Sequence, residues 1–172
     1  MIQTLVVRNC PQLVPCGIDV NVNNHLIVLD PANKALEIVV VADDLKTGIA
    51  LQTIGLGPQC SPIDCCYVNH DPIAVSDMVG KEVMLVSVKI GGVKFMVEGR
   101  DFSPAGLCAV NELVLLSDKE LLCVCAFELD EHRVEPFIGT KGVSGFEDGP
   151  LSQTILTSLV GLGKTMHNCI HC

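Results

Sequence analysis

Apolar residues along this chain fall into short runs separated by Gly, Pro, Asn and Asp, the pattern of a polypeptide that reverses direction every few residues. The clearest case is 82–90, Gly91-Gly92 and 93–98. Two glycines supply the positive φ angles of a tight turn. A two-residue loop there sets Ile90 opposite Val93, Val88 opposite Phe95 and Val86 opposite Val97, a wholly apolar face. Lys89/Lys94, Ser87/Met96 and Leu85/Glu98 fall on the other face. A second hairpin runs through 112–117, the turn Asp118-Lys119, and 120–129. Both of its faces are apolar, which predicts a place at the centre of a sandwich or under a helix.

Further strands are predicted at 4–8, 18–22, 25–29 and 36–42, with Asn23-Asn24 as a turn because Asn tolerates the left-handed region. Roughly seven or eight short strands imply a mainly β fold, an antiparallel β-sandwich or barrel of jelly-roll type. After Pro150 the period changes. Leu151, Ile155, Leu159 and Leu162 recur at helical spacing, and Pro suits a first helical position, so a short C-terminal helix is predicted over about 150–160, ending at Gly161 and Gly163. The chain then divides into an antiparallel β domain, 1–149, and a C-terminal helix with a Cys/His-rich tail, 150–172. No internal repeat or linker stands out, and the longest irregular stretch is 55–72, which holds Cys60, Cys65, Cys66 and His70.

Composition supports strands and narrows the partners. Val and Ile far outnumber Ala, and β-branched side chains fit a pleated surface better than a helix. Hydrophobic residues make up 49% of 172 positions against 18% charged, enough for one filled core. Trp is absent and Tyr67 stands with five Phe, so the core is aliphatic and sulfur-rich and stacking platforms for bases are not expected. The net charge of −9 argues against nucleic acid as a partner. No apolar run reaches the roughly 18 residues of a membrane span, and Met1 to Leu5 lack the features of a signal peptide. A soluble protein is expected, either cytoplasmic or assembled on a cell or spore surface without such a signal.

The motifs that suggest catalysis are incomplete. Gly161-Leu162-Gly163-Lys164-Thr165 resembles the end of a phosphate-binding loop, but Ser158 stands where the pattern requires glycine and no strand-loop-helix frame surrounds it. Gly139, Gly142 and Gly145 lack the strand that a dinucleotide fingerprint needs. Cys65 or Cys66 with His70 and Asp71, or Cys16 with His25, would make a thiol nucleophile and its base only if the fold joined them; core thiols and surface histidines account for the same residues. Asp43-Asp44 and Asp130-Glu131 fit solvated turns.

Ten cysteines remain to be explained. Cys123 and Cys125 sit on one strand face with Cα atoms about 6.6 Å apart, at the limit for a disulfide, so they are read as buried thiols. Cys60, Cys65 and Cys66 form a further thiol cluster and Cys108 stands apart. Pairs lie toward both ends: Cys10 with Cys16, and Cys169 with Cys172. These predict a non-enzymatic structural subunit that self-assembles into a filament, coat or surface layer, with intermolecular disulfides through Cys10, Cys16, Cys169 and Cys172 locking copies together. The partner is the chain itself, and no cofactor is required. The alternative is a zinc-binding interaction module, because Cys169-x-x-Cys172 has ligand spacing and His167 and His171 flank it. A cysteine-dependent enzyme is the third reading.

Overall fold

The computed structural model describes residues 5–10, 13–68, 71–98, 102–129, 133–145, 147–156, 159, 161–164 and 170–171. They form three successive sheets and a two-stranded pair. The first sheet holds β1 (Val6–Arg8), β2 (Gly17–Val20), β3 (His25–Asp30), β4 (Ala35–Val41) and β5 (Thr47–Gly55), in the order β1-β5-β4-β3-β2. The second is a meander of β6 (Pro62–Tyr67), β7 (Ile73–Asp77), β8 (Glu82–Ser87) and β9 (Gly92–Glu98). The third repeats it with β10 (Pro104–Val110), β11 (Leu113–Asp118), β12 (Cys123–Glu128) and β13 (Glu135–Ile138). β14 (Gly163–Lys164) and β15 (Ile170–His171) make the two-stranded pair. All pairings are antiparallel except β1 with β5.

Period-2 alternation explains how the sheets stack. On β7, Ile73 and Val75 face the first sheet while Ala74 faces the third; on β8, Met84 and Val86 face the first while Val83 and Leu85 face the third. Ile27, Leu29, Leu36, Ile38 and Ile54 complete the core between the first and second sheets. Val114, Leu116, Cys123, Cys125 and Phe127 complete the core between the second and third. The outer face of the third sheet, Leu115 and Val124 with Cys108, is covered by Leu156, Leu159 and Leu162. Strands in the middle of such a stack are apolar on both faces because each face meets a neighbour.

The mainly β prediction is correct, but the described residues form neither a two-sheet sandwich nor a closed barrel. Two apolar faces per strand fit a stack of sheets as well as a sandwich centre, and periodicity alone does not separate them. The predicted helix over 150–160 is absent: no helix occurs among the described residues. Gln153 and Thr154 N–H both donate to Pro150 O, closing one turn, after which Ile155 N donates to Glu147 O at 3.1 Å in a β-bridge. Of the helically spaced residues, Leu159 and Leu162 cover the third sheet, whereas Leu151 stays 56% exposed. The stretch 55–72 is not one irregular loop, since Cys65 and Cys66 lie on β6.

A repeat is also present. Asp30, Asp77 and Asp118 each end the second strand of their meander and are buried to 1% exposure or less. Each is followed, at the same offset, by a residue with positive φ that opens the third strand: Lys34 at 51°, Lys81 at 56° and Leu122 at 54°. Asp30 accepts Asn33 N and Asn33 Nδ2. Asp77 accepts Gly80 N at 2.6 Å and Ser61 N at 2.7 Å. Asp118 accepts Glu120 N, Leu121 N and, across the sheet, Ser103 N at 2.9 Å. Ser61 and Ser103 each precede the first strand of their own sheet, so one carboxylate satisfies both the turn and the incoming chain. The sequence trace of this repeat is short: Asp30 and Asp77 are each followed four residues on by Lys, and Asp77 and Asp118 are each preceded by Ser.

Both predicted hairpin registers shift as a result. Asp118 holds a longer turn, so Ser117 pairs with Val124 and Asp118 with Cys123. Around the glycines, Val86 pairs with Val93 and Val83 with Val97, and Ile90 enters the turn. Asp71 determines that outcome by accepting Val88 N at 2.8 Å and Ser87 Oγ at 3.0 Å, which withdraws Val88 from the ladder. Asn24 takes φ 57° as predicted for its turn.

Candidate ligand-binding cleft

The edge strand β2 of the first sheet runs beside β6, the leading strand of the second, as β6 does beside β10 and β10 beside β14. Glycines permit the close approach. A Cβ on Gly17 would lie 3.0 Å from Asp64 Oδ1 and 3.1 Å from Asp64 Cα; one on Gly106 would lie 2.6 Å from Gly161 Cα. Carboxylates then bridge the seams. Asp19 of β2 accepts Val20 N at 2.8 Å and, from the neighbouring sheet, Tyr67 N at 2.9 Å. Asp64 of β6 accepts Cys65 N at 2.9 Å and, from the next sheet, Leu107 N at 2.8 Å. Ser76 adds a crosslink by donating to Ala105 O at 2.6 Å.

These strands enclose an open cleft of about 440 Å³, within the range of small-molecule sites. Ile18, Asp19 and Val20 form one side, Asp64, Cys65 and Cys66 the floor, and Leu107 to Ala109 with Leu162 and Gly163 the other side. Ile18 and Val20 remain 62% and 52% exposed. Asp19 and Asp64 are partly exposed. Burial raises the Asp64 carboxyl, its two N–H donors oppose that, and the charge of Asp19 raises it further. Burial pushes Cys65 and Cys66 well above the ordinary thiol value, with nearby aspartates adding to the effect. Such thiols stay protonated and are poor nucleophiles.

The residues predicted from sequence are dispersed. Cys16 is exposed overall, yet its thiol donates to Ile63 O at 3.0 Å, and partial burial followed by the charge of Asp64 raises it. Cys10 is partly buried. Cys60 does not join Cys65 and Cys66 in the cleft lining; burial, then Asp77, pushes it up to about 12. Cys123 and Cys125 share one face as expected and are free thiols, with Sγ atoms 3.6 Å apart. Their hydrogen bond lowers the first and raises the second. His167, Cys169 and Cys172 lie outside the described residues, as do His70 and Asp130-Glu131, while His171 falls on β15. Among the described residues no group of three Cys, His, Asp or Glu is placed to hold a metal ion. Asp44 closes the β4–β5 turn by accepting Lys46 N and Thr47 N, as a turn residue should. Gly163-Lys164 is strand rather than phosphate loop.

Asp19 and Asp64 were missed. Gly17-Ile18-Asp19 and Pro62-Ile63-Asp64 are the one local signal, and it becomes meaningful only once both strands are known to run side by side at the edges of their sheets.

No protein-family model matches the sequence, and no curated protein matches it. Solved structures do match in fold. A streptogramin B lyase superposes with TM-score 0.61 at 10% identity, covering 91% of this chain and 46% of the other. Hydrazine synthase of Kuenenia stuttgartiensis gives TM-score 0.64 at 8% identity, covering 94% and 43%. The computationally designed Ika4 protein gives 0.59 at 10% identity, covering 99% and 96%. The chain thus spans less than half the length of the first two and nearly all of the third. These neighbours are β-propeller-like, and the sheets described above are blades ranged side by side with their inner strands together.

Proposed function

We propose that this propeller-like chain is a recognition module whose working surface is the cleft between its inner strands, and that it binds there without chemistry. The observation that supports this reading is the cleft of about 440 Å³ where exposed Ile18 and Val20 stand beside two carboxylates committed to backbone N–H groups. A carboxylate fixed by two donors is held still for binding, and thiols raised by burial are poorly suited to attack. Two of the neighbours are named streptogramin B lyase and virginiamycin B lyase. Those activities belong to those proteins; the shared feature is the blade arrangement.

The test is a fragment screen of ¹⁵N-labelled protein by NMR. Hits are expected to shift the amides of Val20, Cys65 and Leu107, and Val20→Arg is expected to abolish those shifts. Hits that consistently map elsewhere would contradict the reading. Cross-linking between copies is a second reading, favoured by the exposed position of Cys16. It predicts a dimer band on non-reducing electrophoresis that Cys16→Ser removes; a monomer in both lanes would reject it.

A further inference from the structure

We propose that the inner-strand cleft selects an organic cation with an apolar body, of the alkylammonium type. The inference rests on the cleft being the working surface and adds the class of its occupant. Shape and apolarity come first. A concavity of about 440 Å³ accommodates a small organic molecule rather than a polymer, and Ile18 and Val20, 62% and 52% exposed, border it. The partly exposed Leu162 adds to that lining on the opposite side.

Charge selects among apolar ligands. The described lining contains Asp19 and Asp64 and no Lys, Arg or His, in a chain of net charge −9. An ionised carboxylate offers about four lone-pair positions. Each of these two aspartates uses two of them on backbone N–H groups, which leaves acceptor capacity on partly exposed side chains. Their mutual repulsion contributes to raising Asp64, and a cation seated between them relieves it. An anion would meet two negative charges with no side-chain counter-ion among the described lining residues. A neutral apolar molecule would gain burial but leave the repulsion in place.

Three probes of equal chain length separate the possibilities: hexylammonium, hexanol and hexanoate, each titrated into the ¹⁵N-labelled full chain at low salt. Hexylammonium is expected to shift the amides of Val20, Cys65 and Leu107 with at least about tenfold higher affinity than hexanol, and to weaken as salt is raised. Hexanoate is expected to leave these amides unmoved. Asp19→Asn and Asp64→Asn, made singly and checked for a folded spectrum, are each expected to bring hexylammonium toward the hexanol value. Hexanol binding at the same amides as tightly as hexylammonium would overturn the cation assignment while leaving the cleft as the site. Failure of all three probes to move these amides would overturn the cleft reading as well.

Discussion

The turn aspartates and the cleft aspartates use one device for two purposes. Asp77 and Asp118 are sealed at 1% and 0% exposure and accept backbone N–H groups from the turn and the incoming chain of their own sheet. Asp19 and Asp64 also bind two N–H groups each, but one donor of each pair comes from the adjacent sheet and the carboxylate stays partly exposed. A carboxylate within a blade stabilises that blade and has nothing left to offer. Across a seam it both joins blades and presents charge to the cleft. Burial and the origin of the donors, rather than residue type, separate structural acid from candidate recognition acid.

Substitutions sharpen this contrast. The largest effect is expected from Asp118→Ala, which deprives the buried Ser103 N–H and the part-buried Glu120 and Leu121 N–H groups of their acceptor. At about 1–3 kcal/mol for each buried donor left unsatisfied, a loss of several kcal/mol should appear in urea denaturation. A midpoint close to wild type would refute the turn role. Gly106→Ala comes next, because its Cβ would meet Gly161 backbone at 2.6 Å. Overpacking of this kind costs about 1–3 kcal/mol, and the loss should be accompanied by amide shifts at Leu162 and Gly163.

Asp64→Ala should cost less, about 1–2 kcal/mol, since it frees two N–H groups rather than three and removes a carboxylate that is itself partly exposed. Asp19→Ala should behave alike, with hydrogen exchange accelerated at Tyr67 N–H for Asp19 and at Leu107 N–H for Asp64. If either variant matched Asp118→Ala in cost, the distinction between sealed and seam carboxylates would fail.

The smallest expected effect concerns pH. Folding raises the Asp64 pKa, so the native state holds that proton to higher pH than the unfolded chain does. The associated stability is fully present below the unfolded value of about 3.9 and is lost as pH rises through the raised folded value. The stability difference between wild type and Asp64→Asn should therefore move against wild type as pH climbs through that window. A flat difference would remove the assigned shift.

Much of the strand layout was legible in sequence because it depends on local alternation. The run 25–29 and the observed His25–Asp30 nearly coincide, as do 36–42 and Ala35–Val41. The shared face of Cys123 and Cys125 follows from the same period. Register was not legible where a remote side chain decides it: Ser87 and Val88 answer to Asp71, which lies outside the hairpin they were read in. The 150–160 segment misled because leucines spaced to cover a sheet from an irregular chain can mimic a helical stripe. Of the cleft, the sequence marks Cys65 and Cys66 as thiols but not the strand that carries them, β6. Asp19 and Asp64 are not marked, since their partners Tyr67 and Leu107 are remote in sequence.

The most direct test of the central claim is a crystal structure of the protein grown with hexylammonium. The account predicts the ammonium nitrogen within hydrogen-bonding reach, about 3 Å, of Asp19 and Asp64, with the hexyl chain against Ile18, Val20 and Leu162. An empty cleft, with the probe seen only between lattice neighbours, would contradict it.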